Sequence, residues 1–191
     1  VFRKPPKRPT EFTAPPGKSK EEMIREAQAF LGIDCINRYN IAICGPAGVG
    51  KSSFINRILG KRARDPGAAP VGDTETTMVP TKYDVPHSAL TLIDVPGGCT
   101  ERFTAASYVE DTKLYGADAV IIMYADRVYE VCNDIVRGCE SFGVPVCFVR
   151  NKADSMLDNL RRNEGLSPVE AKERARRLVD QEVLEAAPKA G

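Results

Sequence analysis

Apolar positions along the chain follow two periods, and the period changes several times. From Ser19 onward Met23, Ala27, Phe30 and Leu31 recur on one helical face, and Ser19-Lys20-Glu21-Glu22 has capping-box spacing, so a helix is predicted from Ser19 to about Gly32. The apolar run Tyr39 to Cys44 predicts a strand, which leads into a glycine-rich loop and a second helical pattern through Phe54, Ile55, Ile58 and Leu59. Further strands are predicted at Leu90–Asp94, Ala119–Tyr124 and Pro145–Arg150, separated by helix-length segments. A second capping box, Ser167-Pro168-Val169-Glu170, opens a last helix through Ala171, Ala175, Leu178, Val179 and Val183.

These strands are apolar throughout instead of alternating, which marks a mostly parallel sheet covered on both faces. Right-handed crossovers then give a doubly wound α/β sheet, whose ligand site lies beyond the C-terminal ends of the strands. After the last helix only small and polar residues lead to Gly191, so the expectation is a sheet that can stop one strand short, in a domain truncated before its last strand. Residues 1–18 are rich in proline and basic side chains and read as a solvated, semi-extended linker, with the domain proper running over 19–191.

Composition narrows the functional classes. With 27 Lys+Arg against 26 Asp+Glu the formal charge is +1, so no overall basic field gathers phosphate backbones, and nucleic acid is not expected as a partner. The longest apolar run, Ala119 to Ala125, falls far short of the about 20 residues that a membrane-spanning helix needs. Cysteines at positions 35, 44, 99, 132, 139 and 147 show no CxxC pair, and His87 is the one histidine, a poor basis for a zinc site. Cys44, Cys139 and Cys147 sit in apolar stretches and are expected to pack as small hydrophobes, as reduced thiols in a cytoplasmic protein do.

The chemistry is concentrated at the predicted strand ends. Gly45-Pro46-Ala47-Gly48-Val49-Gly50-Lys51-Ser52 fits GxxxxGK[ST] between a buried strand and a helix. Glycines there let successive N–H groups turn inward as an anion nest, and the helix adds its positive end, so polyphosphate is the natural guest. Lys51 would reach the β- and γ-phosphates and the Ser52 hydroxyl would ligate Mg²⁺, with Ser53 completing the nucleotide-binding stretch. Ala47 and Val49 read as loop positions tolerant of small side chains. Asp94-Val95-Pro96-Gly97 follows as DxxG, its carboxylate holding a metal-bound water and the Gly97 amide meeting the γ-phosphate. Asn151-Lys152-Ala153-Asp154 ends the strand at Arg150 as NKxD, and the Asp154 carboxylate can accept from both N1–H and the exocyclic amine of guanine. Adenine offers no such pair of donors, so the three motifs in order select GTP over ATP.

Between the first two motifs, residues 67–80 are polar and glycine-containing, the expected place of a switch loop ordered by γ-phosphate and Mg²⁺. One threonine should ligate the metal, with Thr77 the first choice and Thr76 or Thr74 the alternatives. Two basic runs, Arg57-Lys61-Arg62-Arg64 and Lys172-Arg174-Arg176-Arg177, read as solvated helix faces, and Tyr108, Tyr115 and Tyr124 as core or half-buried residues.

GPAGVGKSSFINRILG, VGDTETTM, LIDVPGG and FVRNKADSMLDN together resemble the immunity-related, interferon-inducible GTPases, a branch allied to dynamin-like proteins, over roughly residues 20–165. The lysine at position 51 resembles the GKS-bearing branch, whose members cycle nucleotide, and not the branch with methionine there. The resemblance implies a P-loop NTPase fold, a Ras-like G domain with one antiparallel edge strand in an otherwise parallel sheet. It also implies GTP-dependent homodimers or homo-oligomers through the G face and action on intracellular membranes, with peripheral membrane contact through regions outside this chain. It aligns Thr77 with the switch threonine. Phosphate and metal handling thus falls to Lys51, Ser52, Thr77, Asp94 and Gly97.

Where many small GTPases place a water-orienting Gln after DxxG, this chain has Gly98, so slow intrinsic hydrolysis is expected; the resemblance implies acceleration by a second G domain in trans. The rival reading is a GTP-loaded switch or scaffold with negligible hydrolysis.

Overall fold

The computed structural model describes residues 17–72, 79–96, 105–128 and 130–186. Helix α1 (Lys20–Leu31) begins at the first capping box: the Glu22 amide donates to Ser19 Oγ at 3.2 Å, and the Ser19 amide donates to the Glu22 carboxylate at 2.9 Å. It stops at Gly32, whose φ of 59° lets its amide reach Ala29 O while the Ile33 amide reaches Gln28 O, two closures that satisfy the last carbonyls. Lys18, the last residue of the predicted linker, pairs with Glu26 of this helix at 2.6 Å, both side chains being exposed. Gly17 is exposed, and residues 1–16 of the predicted linker lie outside the described residues.

Met23, Ala27 and Leu31 are buried, but Phe30 is 56% exposed. At about 100° per residue the buried stripe centres on Ala27; Phe30 lies at one margin and the half-buried Ile24 takes the other.

Strands β1 (Tyr39–Cys44), β2 (Thr81–Asp84), β3 (Leu90–Asp94), β4 (Ala119–Tyr124) and β5 (Val146–Arg150) form one sheet in the order β2-β3-β1-β4-β5. β1 lies between β3 and β4, parallel to both, and β4 pairs in parallel with β5. β2 is the antiparallel edge strand, with Thr81 opposite Asp94. Its sequence, Thr-Lys-Tyr-Asp, carries no apolar run because Thr81, Lys82 and Asp84 are exposed, so hydrophobic patterning has nothing to detect there.

Both faces are covered, for the reason the strand sequences suggest. Successive side chains alternate between faces. Ala42, Cys44, Ile93, Val120 and Ile122 meet α1, α3 (Ala105–Thr112) and α4 (Glu130–Ser141), while Ile43, Leu92 and Met123 meet α2 (Lys51–Ile58). α1 also rests on a short 3₁₀ turn, Leu114–Gly116, where a Cβ on Gly116 would stand 2.8 Å from the Ala27 Cβ, so only glycine permits that approach. α5 (Ala153–Glu164) and α6 (Pro168–Ala186) pack on each other, and the second capping box is made, with the Ser167 amide donating to Glu170 at 2.9 Å. Both basic runs are solvent-facing apart from the half-buried Lys61, and Tyr108, Tyr115 and Tyr124 are buried.

Cys44 and Cys139 pack in the core, where burial pushes both thiols up, Cys139 to about 12. Cys147 does not: it sits on the edge strand β5 and is exposed, whereas Cys132 on α4 is buried. Cys99 lies outside the described residues. None of the described helices is long and apolar enough to cross a membrane.

Candidate functional site

The parallel register brings the C-terminal ends of β1, β3, β4 and β5 to one edge of the sheet, and the three motifs leave from those ends. The loop after β1 passes directly over β4: a Cβ on Gly45, at φ 142°, would lie 2.3 Å from the Met123 carbonyl oxygen, so no other residue fits. Val49 is buried in the α2 core and anchors the loop, a constraint that a tolerant loop position would not have. Ala47 and Gly48 are exposed. Gly50, at φ 96°, turns the chain into α2, whose first amides have no acceptor one turn earlier and gather at the positive end of the helix. Lys51 reaches back over this loop, donating to Gly45 O at 3.0 Å and to Pro46 O at 3.1 Å. The free amides of a helix N-terminus with an ammonium beside them can receive phosphate groups.

Ser52 and Asp94 meet below the loop, the hydroxyl donating to Asp94 Oδ2 at 3.3 Å. Asp94 is 1% exposed, and its Oδ1 is buried with no hydrogen-bond partner among the described residues. Burial pushes the carboxyl up from the usual range, against the opposing pull of the Lys51 charge and the Ser52 hydroxyl. A buried carboxylate oxygen lacking a partner beside a hydroxyl offers the hard oxygen donors that Mg²⁺ takes together with water and phosphate. The residues present therefore fit that ion. The Tyr108 hydroxyl donates to Pro96 O at 2.7 Å and fixes the segment just before Gly97. Sequence patterning marks Tyr108 as core but carries no sign of this second role.

At the third motif, the Asn151 amide donates to Tyr124 O at 2.7 Å and its Nδ2 donates to Val49 O at 2.8 Å. Asn151 thus ties the NKxD turn to the phosphate loop. Gly50 is required by that tie, because a Cβ there would stand 2.4 Å from Asn151 Nδ2. Lys152 takes a left-handed conformation, φ 53°, as the cap of α5, and Asp154 is exposed in the first turn of that helix. Ser53 is exposed on α2. Thr77, the alternatives Thr76 and Thr74, and Gly97 and Gly98 lie outside the described residues.

A family model described as interferon-inducible GTPase matches residues 23–177. Among curated relatives, the mouse T-cell-specific guanine nucleotide triphosphate-binding protein 2 is 41% identical over 123 residues, 63% of this chain and 29% of its own. Mouse interferon-inducible GTPase 1 is 36% identical over 121 residues, again 63% of this chain and 29% of its own. Bovine interferon-inducible GTPase 5 is 32% identical over 137 residues, 70% of this chain. The matched region is thus under a third of each relative's length. Among solved structures, the bacterial dynamin GTPase LeoA from ETEC aligns with TM-score 0.52 at 16% identity, covering 88% of this chain and 33% of its own, a likeness of fold.

Proposed function

The chain belongs to the interferon-inducible GTPase family and has an α/β Ras-like G domain, and from that premise we propose that it binds GTP and hydrolyses it to GDP and phosphate. The contact that supports this reading most directly is Asn151 Nδ2 on Val49 O, which joins the Asn151-Lys152-Ala153-Asp154 turn to the Gly45–Ser52 loop. Either motif alone would be a weak sign; held together, they span a purine nucleoside triphosphate from base to tail.

In this reading the backbone N–H groups between Ala47 and Ser53 and the Lys51 ammonium bind the phosphates, Gly45 and Pro46 shape the start of the loop, and Asp154 accepts from the guanine edge. Asn151 and Lys152 shape that turn. Ser52 and Asp94 would hold Mg²⁺, joined by Thr77. The ion, when bound, neutralises charge that develops on the phosphate oxygens. Lys51 does the same from the protein side, as a preorganised charge that costs no reorganisation during reaction.

The residue after DxxG is Gly98, which carries no side chain to orient water. We therefore assign a slow intrinsic rate, accelerated when two G domains dimerise or oligomerise through the nucleotide face. The protein is proposed to be a cytoplasmic effector of cell-autonomous immunity or membrane remodelling, peripheral on intracellular membranes. Specific activity measured against protein concentration tests this. The rate per molecule should climb with concentration; a flat, negligible rate with intact GTP binding would leave a GTP-loaded scaffold instead.

A further inference from the structure

α6 begins at the end of α5 remote from the NKxD turn and runs back toward that turn. α5 leaves the NKxD turn and runs about 18 Å away at 1.5 Å per residue, and the chain reverses at Gly165, φ 67°. α6 then packs back along α5. Glu182, about 21 Å along α6 from Pro168, therefore arrives beside the root of α5. There Arg150 Nη1 donates to both oxygens of Glu182, at 2.6 and 2.5 Å, across a separation of 32 residues.

The pair is well shielded, with side chains 12% and 29% exposed, and the Arg150 guanidinium lies 5.8 Å from the centre of the Tyr124 ring. Arg150 immediately precedes Asn151, and the Tyr124 carbonyl is the acceptor for the Asn151 amide. The turn carrying Asn151, Lys152 and Asp154 is consequently held from two sides. The phosphate loop grips it through Asn151, and α6 grips it through Arg150. The left-handed Lys152 lies between these grips, and a non-glycine residue keeps that conformation only where its surroundings impose it.

We propose that Glu182 is a positioning residue for guanine specificity: through Arg150 it fixes the turn that aims the Asp154 carboxylate at the base. This rests on the base-reading role given to Asp154 above. Removing Glu182 frees the Arg150 side of the turn, and the Asp154 carboxylate loses its fixed bearing relative to the phosphate loop.

Calorimetry of the full chain with GDP and inosine diphosphate tests it, because inosine lacks the exocyclic amine and leaves Asp154 one donor of two. Wild-type protein should prefer GDP by at least about tenfold, the scale of one hydrogen bond to a charged group. In Glu182→Ala the preference should fall to within about twofold, with inosine diphosphate affinity changed by less than about threefold. Arg150→Met/Glu182→Leu guards against a folding defect, since an apolar pair of similar volume commonly replaces a buried ion pair without loss of stability. It should melt near the wild-type temperature and still lose the preference. Glu182→Gln, which keeps an acceptor, should restore part of it. Folded variants that keep the wild-type preference, with or without lower melting temperatures, would reduce Glu182 to a structural contact and overturn the proposal. A wild-type chain that binds both nucleotides equally would remove the role of Asp154 and this proposal with it; the first outcome leaves the role of Asp154 standing.

Discussion

Replacing Gly50 by Ala should damage the domain through one identifiable contact. The backbone at Gly50 has φ 96° and ψ 25°, and an L side chain there costs about 1–2 kcal/mol. The new Cβ would also stand 2.4 Å from Asn151 Nδ2, so the carboxamide must swing away and give up its 2.8 Å bond to Val49 O. Val49 is buried, and stranding its carbonyl costs about 1–3 kcal/mol. Together the loss is about 2–5 kcal/mol, which for a domain of this size lowers the melting temperature by roughly 4–20 °C.

Gly48→Ala is the control: φ is 71° but nothing lies within 4 Å, so only the conformational part, about 1–2 kcal/mol, applies. A double-mutant cycle by chemical denaturation isolates the contact. Asn151→Ala alone should cost about 1–3 kcal/mol, and once the carboxamide is gone Gly50→Ala should add only its backbone strain. Additive losses in the cycle, or a Gly50→Ala variant no worse than Gly48→Ala, would refute the coupling of phosphate loop and base turn.

Two other substitutions probe the chemistry. Burial holds the Asp94 carboxyl above its usual range, so the folded chain binds that proton more tightly than the unfolded chain. Stability is then withdrawn as pH rises from the ordinary carboxylate range through the folded pKa, and Asp94→Asn should flatten that part of the profile and raise nucleotide-free stability at neutral pH. Melting curves across pH check this, and a destabilised Asp94→Asn at neutral pH would contradict it; the same variant should lose Mg²⁺-dependent GTP affinity. Asp154→Asn should move preference toward xanthosine nucleotides, because Asn donates where Asp only accepts; competition binding that retains guanine preference would count against its role.

How much of this is legible without coordinates depends on whether the cause is local. α1 and α6 are set by capping boxes and apolar spacing, and the central strands by apolar runs long enough to cover both faces, so their positions can be read along the chain. β2 cannot, because an exposed edge strand of four residues is specified by pairing with β3 and not by its own side chains. Phe30 and Cys147 mislead for related reasons: one sits at the margin of a buried stripe, the other on an uncovered edge.

At the site, the residue types needed for phosphate, metal and base contact are written as motifs. The supports are not. Asn151 on Val49 follows only once the parallel register is in place and Glu182 on Arg150 only once α6 reverses along α5, while Tyr108 on Pro96, 12 residues apart, needs α3 to fold back on the end of β3.

The central claim is that one site holds a polyphosphate at the Gly45–Ser52 loop and a guanine at Asp154. Titration calorimetry of the full chain with GDP and with ADP, in the presence of Mg²⁺, tests it directly. Saturable heat at one site per chain with GDP and none with ADP is the predicted result. No heat with GDP, or equal binding of both nucleotides, would contradict it.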